Sequence, residues 1–375
     1  MAGIYIHIPY CKQACSYCDF YFTTSLKSKP VFLNALLKEI NLQKSFLNNA
    51  QVDTIYFGGG TPSMLTTVEI SDIIASIRAN FTVAKLPEIT LEANPDNLNP
   101  EYLDGIKSAG VNRLSVGLQS FKDDELKELN RAHSSLQNTE VIKMAQAAGF
   151  NNISVDLIYG TPFSNEQEWD NYIDKVISLK VQHVSCYQLT VEEKTLLDNN
   201  IKKGITPAPD DERTEKQFLA LIKKMKEAGF RHYEISNFGL PEFYSKHNSS
   251  YWKNVPYLGL GPSAHSYNGK SRFYNVANVH VYASAVEKEA GWITEEALSE
   301  KDLYNDLVLT GLRTEFGLDL PLVTAKLDQS FGNYFQRKAQ PYIEKGEIIQ
   351  LGYNYRLKEE SFLFADRISA DLFYI

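Results

Sequence analysis

The 375-residue chain is sparing with cysteine: it has four. That excludes a disulfide-stapled scaffold and agrees with a reduced, cytoplasmic compartment. Basic charge is not in excess either. Lys and Arg number 38 against 46 Asp and Glu, a net charge of −8, which argues against nucleic acid as a partner. No uninterrupted apolar run approaches the length of a membrane span, and the N-terminus enters a strand-like run without the charged and apolar regions of a secretory leader. The Gly58–Gly60 run is not a phosphate loop, since no Gly-Lys-Ser/Thr follows it, and no repeat or low-complexity segment occurs. What remains is a soluble composition, 43% hydrophobic and 22% charged, long enough for one large domain and a smaller one.

Three of the four cysteines fall together. Cys11, Cys15 and Cys18 form a C-x3-C-x2-C run behind the apolar stretch Ile4–Ile8. A cluster held by four cysteines is saturated, whereas one held by three leaves an iron open to a ligand. A structural zinc site wants four ligands in paired spacing, and His7, the nearest fourth, sits on a strand and points away from the loop or across the sheet. The spacing resembles the radical S-adenosylmethionine signature. That resemblance implies a [4Fe–4S] cluster whose open iron chelates the methionine moiety of S-adenosylmethionine and cleaves its sulfonium to a deoxyadenosyl radical. The remaining cysteine, Cys186, lies in the strand-like run His183–Leu189 and reads as an inert small hydrophobe.

The first two-thirds alternates strand-like and helix-like runs. Strands are expected near 4–8, 54–57, 88–91, 113–116, 153–158 and 184–189. Helices are expected near 31–47, 68–77, 103–108, around Leu126 and Val141, and at 169–178. Six such βα units predict an α/β fold, an open (β/α)6 partial barrel, because the unusual residues fall at the strand C-termini where barrels carry their chemistry. A long helix from Glu212, a strand near His232–Ser236 and an irregular aromatic stretch over Phe238–Tyr274 follow. Helices near 279–288, 301–310, 320–327 and 334–345, then a β-hairpin, predict a winged-helix-like α+β C-terminal domain. The division is a partial barrel over 1–236, a linking segment over 237–290 and the C-terminal domain over 291–375.

Gly58-Gly59-Gly60-Thr61-Pro62 follows a strand and lets backbone approach a ligand without a Cβ in the way. The alternative is an ordinary tight turn. Glu92 can accept hydrogen bonds from ribose hydroxyls or an ammonium group, and Gln119, Arg131 and Asp156 can serve polar ligand groups at the same barrel mouth. Asp156 lies within its strand and is expected to point into the barrel. Taken singly each is an ordinary solvated or structural residue; at successive strand ends they read as a site. His247-Asn-Ser-Ser-Tyr251-Trp252 is the second distinctive string. A histidine among aromatics can ligate haem iron with Tyr251 and Trp252 stacked on the porphyrin, or it can be a plain loop histidine; composition alone favours the latter.

As a set, the cysteine run, GGGTP, Glu92, Ser115–Gln119, Asn130-Arg131, Asp156–Gly160 and Leu258–His265 resemble the family of oxygen-independent coproporphyrinogen III dehydrogenases and their haem-chaperone relatives, over nearly the whole chain. The dehydrogenase pattern continues C-x2-C-x-C and carries an extension before the first strand. Here Phe20 stands where that last cysteine would be, and the chain starts almost on the strand. The His247 string matches the HNxxYW string of the chaperones. The resemblance therefore implies a protein that binds haem as cargo and delivers it to apo-haemoproteins, with radical decarboxylation of coproporphyrinogen III as the alternative activity. It implies the metal ligands Cys11, Cys15 and Cys18, with S-adenosylmethionine contacts from Tyr5, Gly59, Gly60, Thr61, Glu92, Gln119, Arg131 and Asp156. Tyr17 is a backbone contact to adenine, Thr190 and His265 are added to that set, and His247, Tyr251 and Trp252 are assigned to haem. A one-electron donor such as a flavodoxin or ferredoxin, and a homodimer, are the implied protein partners.

Overall fold

The computed structural model describes all 375 residues. Six strands come first: β1 Ala2–Ile8, β2 Val52–Gly59, β3 Val83–Ala93, β4 Arg113–Gln119, β5 Ile153–Tyr159 and β6 His183–Gln188. Each pairs in parallel with the next. Helices Lys29–Leu42, Thr67–Asn80, Pro100–Ser108, Ser135–Ala147, Glu166–Ser178 and Asp211–Glu227 lie between or after them. Three of these begin with a reciprocal capping box, at Thr66/Glu69, Ser134/Gln137 and Asn165/Glu168, which satisfies the first free amides locally.

The two faces of this parallel sheet differ in chemistry. Ile4, Ile6, Ile8, Ile55, Phe57, Ile89, Leu91, Leu114, Val116, Val155, Leu157 and Val184 are buried and belong to the continuous core beneath the helices. Their neighbours in the period-two alternation, Tyr5, His7, Tyr56, Glu92, Ser115, Asp156 and Ser185, take the other face. That polar face curls around the barrel interior, and Asp156 points into it as expected.

The sheet is wider than six strands. β7 Arg231–Glu234 and β8 Asn237–Gly239 extend it antiparallel beyond β6. β9 Tyr257–Leu260 runs parallel to β1 on the opposite edge, followed by β10 His265–Tyr267, β11 Ser271–Asn275 and β12 Ile293–Ala297, giving twelve strands. The stretch 238–274, expected to be irregular, thus holds four strands and a helix, Lys246–Trp252. These pieces are three to seven residues long, too short to display a period. A second node fastens this edge. Glu39, on the first helix and fully buried, accepts hydrogen bonds from Gly261 N (2.8 Å), Asn275 Nδ2 (2.8 Å), Tyr282 Oη (2.6 Å) and Trp292 Nε1 (2.9 Å). Four donors on one carboxylate meet the cost of burying it.

The C-terminal part runs helix Glu300–Leu312, β13 Leu318–Asp319, helices Leu320–Lys326 and Gln329–Glu344, then the hairpin β14 Ile348–Leu351 and β15 Asn354–Leu357. The sheet order β13-β15-β14 is that of a winged helix. Helix Ala365–Leu372 closes over it, with Tyr304 Oη donating to the Leu372 carbonyl at 3.1 Å. That helix, β12 and the short helix Leu196–Lys202 were not expected from sequence. No helix is long and apolar enough to cross a membrane.

Candidate functional site

The cysteine loop leaves β1 and is pinned from both sides. Gly60 N donates to the Ile8 carbonyl (2.8 Å) and Thr61 N to that of Tyr10 (2.7 Å); Thr23 N returns to Pro9 O (2.7 Å). On the far side Gln13 Nε2 donates to Asn130 O and Asn130 Nδ2 to Ala14 O, each at 2.6 Å. Gly60 is required here. A Cβ at that position would lie 2.9 Å from two backbone oxygens and 3.0 Å from Cys11 Sγ. Gly59 has φ +104°, and a Cβ there would meet the His7 ring at 2.7 Å. His7 itself is buried, with Nε2 bonded to the Tyr21 carbonyl at 3.0 Å.

A cavity of about 410 Å³ opens beneath this loop at the C-terminal ends of β2 to β6. Cys11, Cys15, Cys18, Tyr17, Gly59, Gly60, Thr61, Glu92, Gln119, Arg131, Asp156 and Thr190 all line it. Tyr5 does not. It lies one layer deeper, stacked against Tyr56 at 6.1 Å. His265 is exposed on β10 and also lies outside the lining. Sequence reasoning gave no role to Asn94, Ser115, Gly117 or Tyr187, which line the same space. The signal was the alternation itself, since Asn94 stands two residues beyond Glu92, and Ser115 and Gly117 precede Gln119 by four and two.

Hydrogen bonds fix most of these groups. Tyr56 Oη donates to Glu92 Oε1 at 2.8 Å, and Ser115 Oγ donates to Asp156 Oδ1 at 3.1 Å. Arg131 donates to Asn94 Oδ1 (2.7 Å), the Gly117 carbonyl (2.9 Å) and Cys15 Sγ (3.4 Å). Thr61 Oγ1 donates to Cys11 Sγ at 3.5 Å. Two polar atoms are enclosed without a partner, Gln119 Oε1 and Arg131 Nε. Gln119 also holds φ +63°, an uncommon backbone state for a non-glycine residue. Orphaned atoms and local strain beside one cavity are what an absent polar ligand would explain.

Burial raises the acids here. Desolvation pushes the Glu92 carboxyl up to about 7 and the Asp156 carboxyl up to about 6, against their hydroxyl donors Tyr56 and Ser185 with Ser115. It also raises the Cys11 thiol and moves that of Cys18 to about 11. Such thiols hold their protons near neutral pH until a metal displaces them.

The chain's donor set fits an iron–sulfur cube. Cys11, Cys15 and Cys18 face one cavity with three separate thiols, and a cube asks for one thiolate on each of three irons. Two side-chain donors already aim at the sulfurs of Cys11 and Cys15, as the tuning of such clusters requires.

His247 is elsewhere and not in a loop. It sits on the helix Lys246–Trp252 under the N-terminal ends of β1 and β2, 1% exposed. Nδ1 bonds Thr54 Oγ1 and Nε2 bonds Tyr251 Oη, each at 2.8 Å. Its ring stacks on Tyr56 at 5.0 Å. Burial, with the Arg113 charge adding, depresses it to about 3. Trp252 lies under the Arg313 guanidinium of the C-terminal part, 5.5 Å away. The string that the resemblance assigns to haem forms a floor to the barrel: both ring nitrogens are occupied, and ligation of an iron requires breaking one of these bonds.

A parallel barrel with three thiols on its first loop, facing a polar cavity at the strand ends, defines a radical SAM protein. The comparisons with known proteins agree. Residues 5–176 match the Radical SAM superfamily, and residues 298–364 match the HemN C-terminal domain. The solved structure described as coproporphyrinogen III oxidase (HemN) from Escherichia coli, a radical SAM enzyme, superposes with a TM-score of 0.85 over 99% of this chain and 89% of that one at 22% identity, which establishes the shared fold. The heme chaperone HemW of Bacillus subtilis is 36% identical over 93% of both chains, and that of Lactococcus lactis is 34% identical over 87% of this chain and 85% of its own. The chain belongs to the HemW family, whose radical SAM membership implies a [4Fe–4S] cluster and S-adenosylmethionine.

Proposed function

We propose that this protein binds haem and delivers it to apo-haemoproteins; its HemW relatives carry the name heme chaperone. Cys11, Cys15 and Cys18 would hold the cluster. Gly59, Gly60 and Thr61 would meet the methionine end of S-adenosylmethionine. Glu92 and Asp156 would accept from its hydroxyl and ammonium groups, and the ligand would supply the partners that Gln119 Oε1 and Arg131 Nε lack. Tyr17 and Thr190 complete the rim, and Tyr5 and His265 stand behind it. The bound pair supplies one-electron chemistry at the sulfonium.

The observation that carries the haem reading over decarboxylation is Phe20. It replaces the last cysteine of the dehydrogenase pattern, is 66% exposed and lines the cavity mouth beside Cys18. With Phe22, Ile158 and Leu189 in the same lining, it offers a flat apolar ligand a landing surface. The test is anaerobic reconstitution followed by parallel titration with haem and with coproporphyrinogen III under reductant. A haem absorption band that saturates, with no carbon dioxide and no protoporphyrinogen, is expected. Decarboxylated product would replace this reading with the enzymatic one. His247 enters the same experiment as a variant: with both nitrogens bonded, it ligates haem only after the floor helix lifts.

A further inference from the structure

Arg113 is a buried charge without an ion pair; along the neighbouring strand Glu92 stands above it, and Glu88, which accepts from the His247 amide, stands below. Arg113 opens β4, is 1% exposed, and its Nε and Nη2 are enclosed without a partner. The chain's two arginine ion pairs are Arg272–Asp306 and Arg313–Asp366; Arg113 has none. Directly across the strand pairing stands Thr90, whose Oγ1 is likewise enclosed and unpaired. Two residues further along the same strands are Glu92 and Ser115, and Ser115 holds Asp156. The guanidinium thus lies one layer below the two carboxylates, roughly 7 Å along the strand.

A guanidinium cannot shed its proton, so enclosing it demands a compensating negative charge. The carboxylates above have the converse need. Among their other neighbours Arg131 also lowers Asp156, and the rest bring no positive charge. Tyr5 on β1, Tyr56 on β2 and Tyr187 on β6 are neutral, their hydroxyls raised by burial. His183 on β6 and His247 on the floor helix are depressed by burial and stay neutral too. Arg131, above the cavity, is committed to Asn94, Gly117 and Cys15. The Arg113 charge acts on both acids and lowers both. Its open donors and the Thr90 hydroxyl are the polar partners that an enclosed water needs to carry the contact upward.

We propose that Arg113 is a positioning residue, the buried counter-ion that biases Glu92 and Asp156, in the cavity wall above it, toward the ionised form that accepts hydrogen bonds from the ligand. This rests on the S-adenosylmethionine site proposed above and adds the residue that sets its pH range.

The test uses full-length, cluster-reconstituted protein. S-adenosylmethionine binding is measured by equilibrium dialysis across neutral and mildly acid pH, and protonated carboxyl is read independently by infrared titration. Arg113→Met is expected to move the acid limb of binding upward by about one pH unit, about tenfold in affinity at a fixed pH on that limb. It should bring up the protonated-carboxyl band at neutral pH, and Arg113→Lys should restore both readouts. Coincident limbs for wild type and Arg113→Met overturn the proposal, as does a lysine variant as impaired as the methionine one. Should Arg113→Met not fold, Arg113→Met/Glu92→Gln decides: recovery of a cooperative melt supports the pairing, and an equally unfolded double variant overturns it. Absence of binding by wild type at every pH would fail the ligand reading alone, since the infrared titration needs no ligand.

Discussion

The two ends of the barrel are built on opposite terms. At the mouth, polar side chains point into open space, Gln119 Oε1 and Arg131 Nε have no partner, and the backbone of Gln119 is held in the left-handed region. At the floor, His247 is saturated: Thr54 and Tyr251 hold its two nitrogens, Glu88 accepts from its amide, and Tyr56 covers its ring. Unsatisfied groups mark where something must arrive; satisfied ones mark where the fold is held. Both ends carry residues that stand out in sequence. Only the geometry says which string is poised for a ligand and which bears on stability.

The comparison breaks first, and with the largest effect, at the cysteines. Replacing Cys11, Cys15 and Cys18 by alanine is expected to abolish iron binding and the brown cluster absorbance. The thermal midpoint of the metal-free chain should change little, because the loop is fastened by Gly60, Thr61, Gln13 and Asn130 and not by the thiols. Iron analysis and a melt of the metal-free protein check it. A variant that keeps a full complement of iron would show that the ligands lie elsewhere.

His247→Ala probes the other end. It leaves a ring-sized void and strips Thr54 Oγ1 and Tyr251 Oη of their partner, a loss of about 3 kcal/mol in stability. Denaturant unfolding of metal-free protein measures it. Unchanged stability together with lost haem binding would mean that the histidine serves the ligand and not the floor.

Much of the mouth was legible because its residues announce themselves twice, by type and by place. The three cysteines, the glycine turn, Glu92, Gln119 and Asp156 each sit at or near the end of a strand whose apolar partners reveal it. Asn94 and Ser115 were equally placed but chemically plain. The floor was hidden for a different reason. His247 meets Thr54 and Gly3 across 193 residues or more of chain, and the helix that carries it has seven residues, so neither period nor spacing betrays the packing. Arg113 was invisible because a lone arginine at a strand start normally faces water; the curl of the sheet turns it inward. Phe238–Tyr274 misled because its strands are three to five residues long, too short for an alternation to show.

The junction between floor and C-terminal part gives a smaller, pH-dependent effect. Glu234, 1% exposed at the end of β7, bridges to Thr314, bonds Asn237, and is pushed up to about 7 by desolvation. A folded value raised above the unfolded one, 4.5, means that its contribution is fully present below about pH 4.5 and is lost as pH climbs through about 7. Glu234→Gln removes the titrating charge and is expected to stabilise the protein by about 2 kcal/mol near pH 8, with no gain near pH 4.5. Melts at the two pH values decide it. An equal effect at both would assign the change to packing.

The finest probe is Tyr251→Phe, which keeps the ring and deletes one oxygen. Tyr251 stays packed edge-on against His247 at 5.0 Å and Tyr257 at 4.6 Å, so no void opens. What is lost is the bond to His247 Nε2, and the expected cost is about 1 kcal/mol, that of one buried neutral hydrogen bond. The same change frees a ring nitrogen at the position assigned to haem. If the floor opens to admit a porphyrin, the variant should bind haem at least as well as wild type while being less stable, because one of the two bonds that hold His247 shut is already gone. If haem sits at the Phe20 mouth, binding is unchanged and only the stability moves. A fall in haem affinity with no loss of stability would contradict the floor assignment, since it would place the Tyr251 hydroxyl on the ligand instead of on His247.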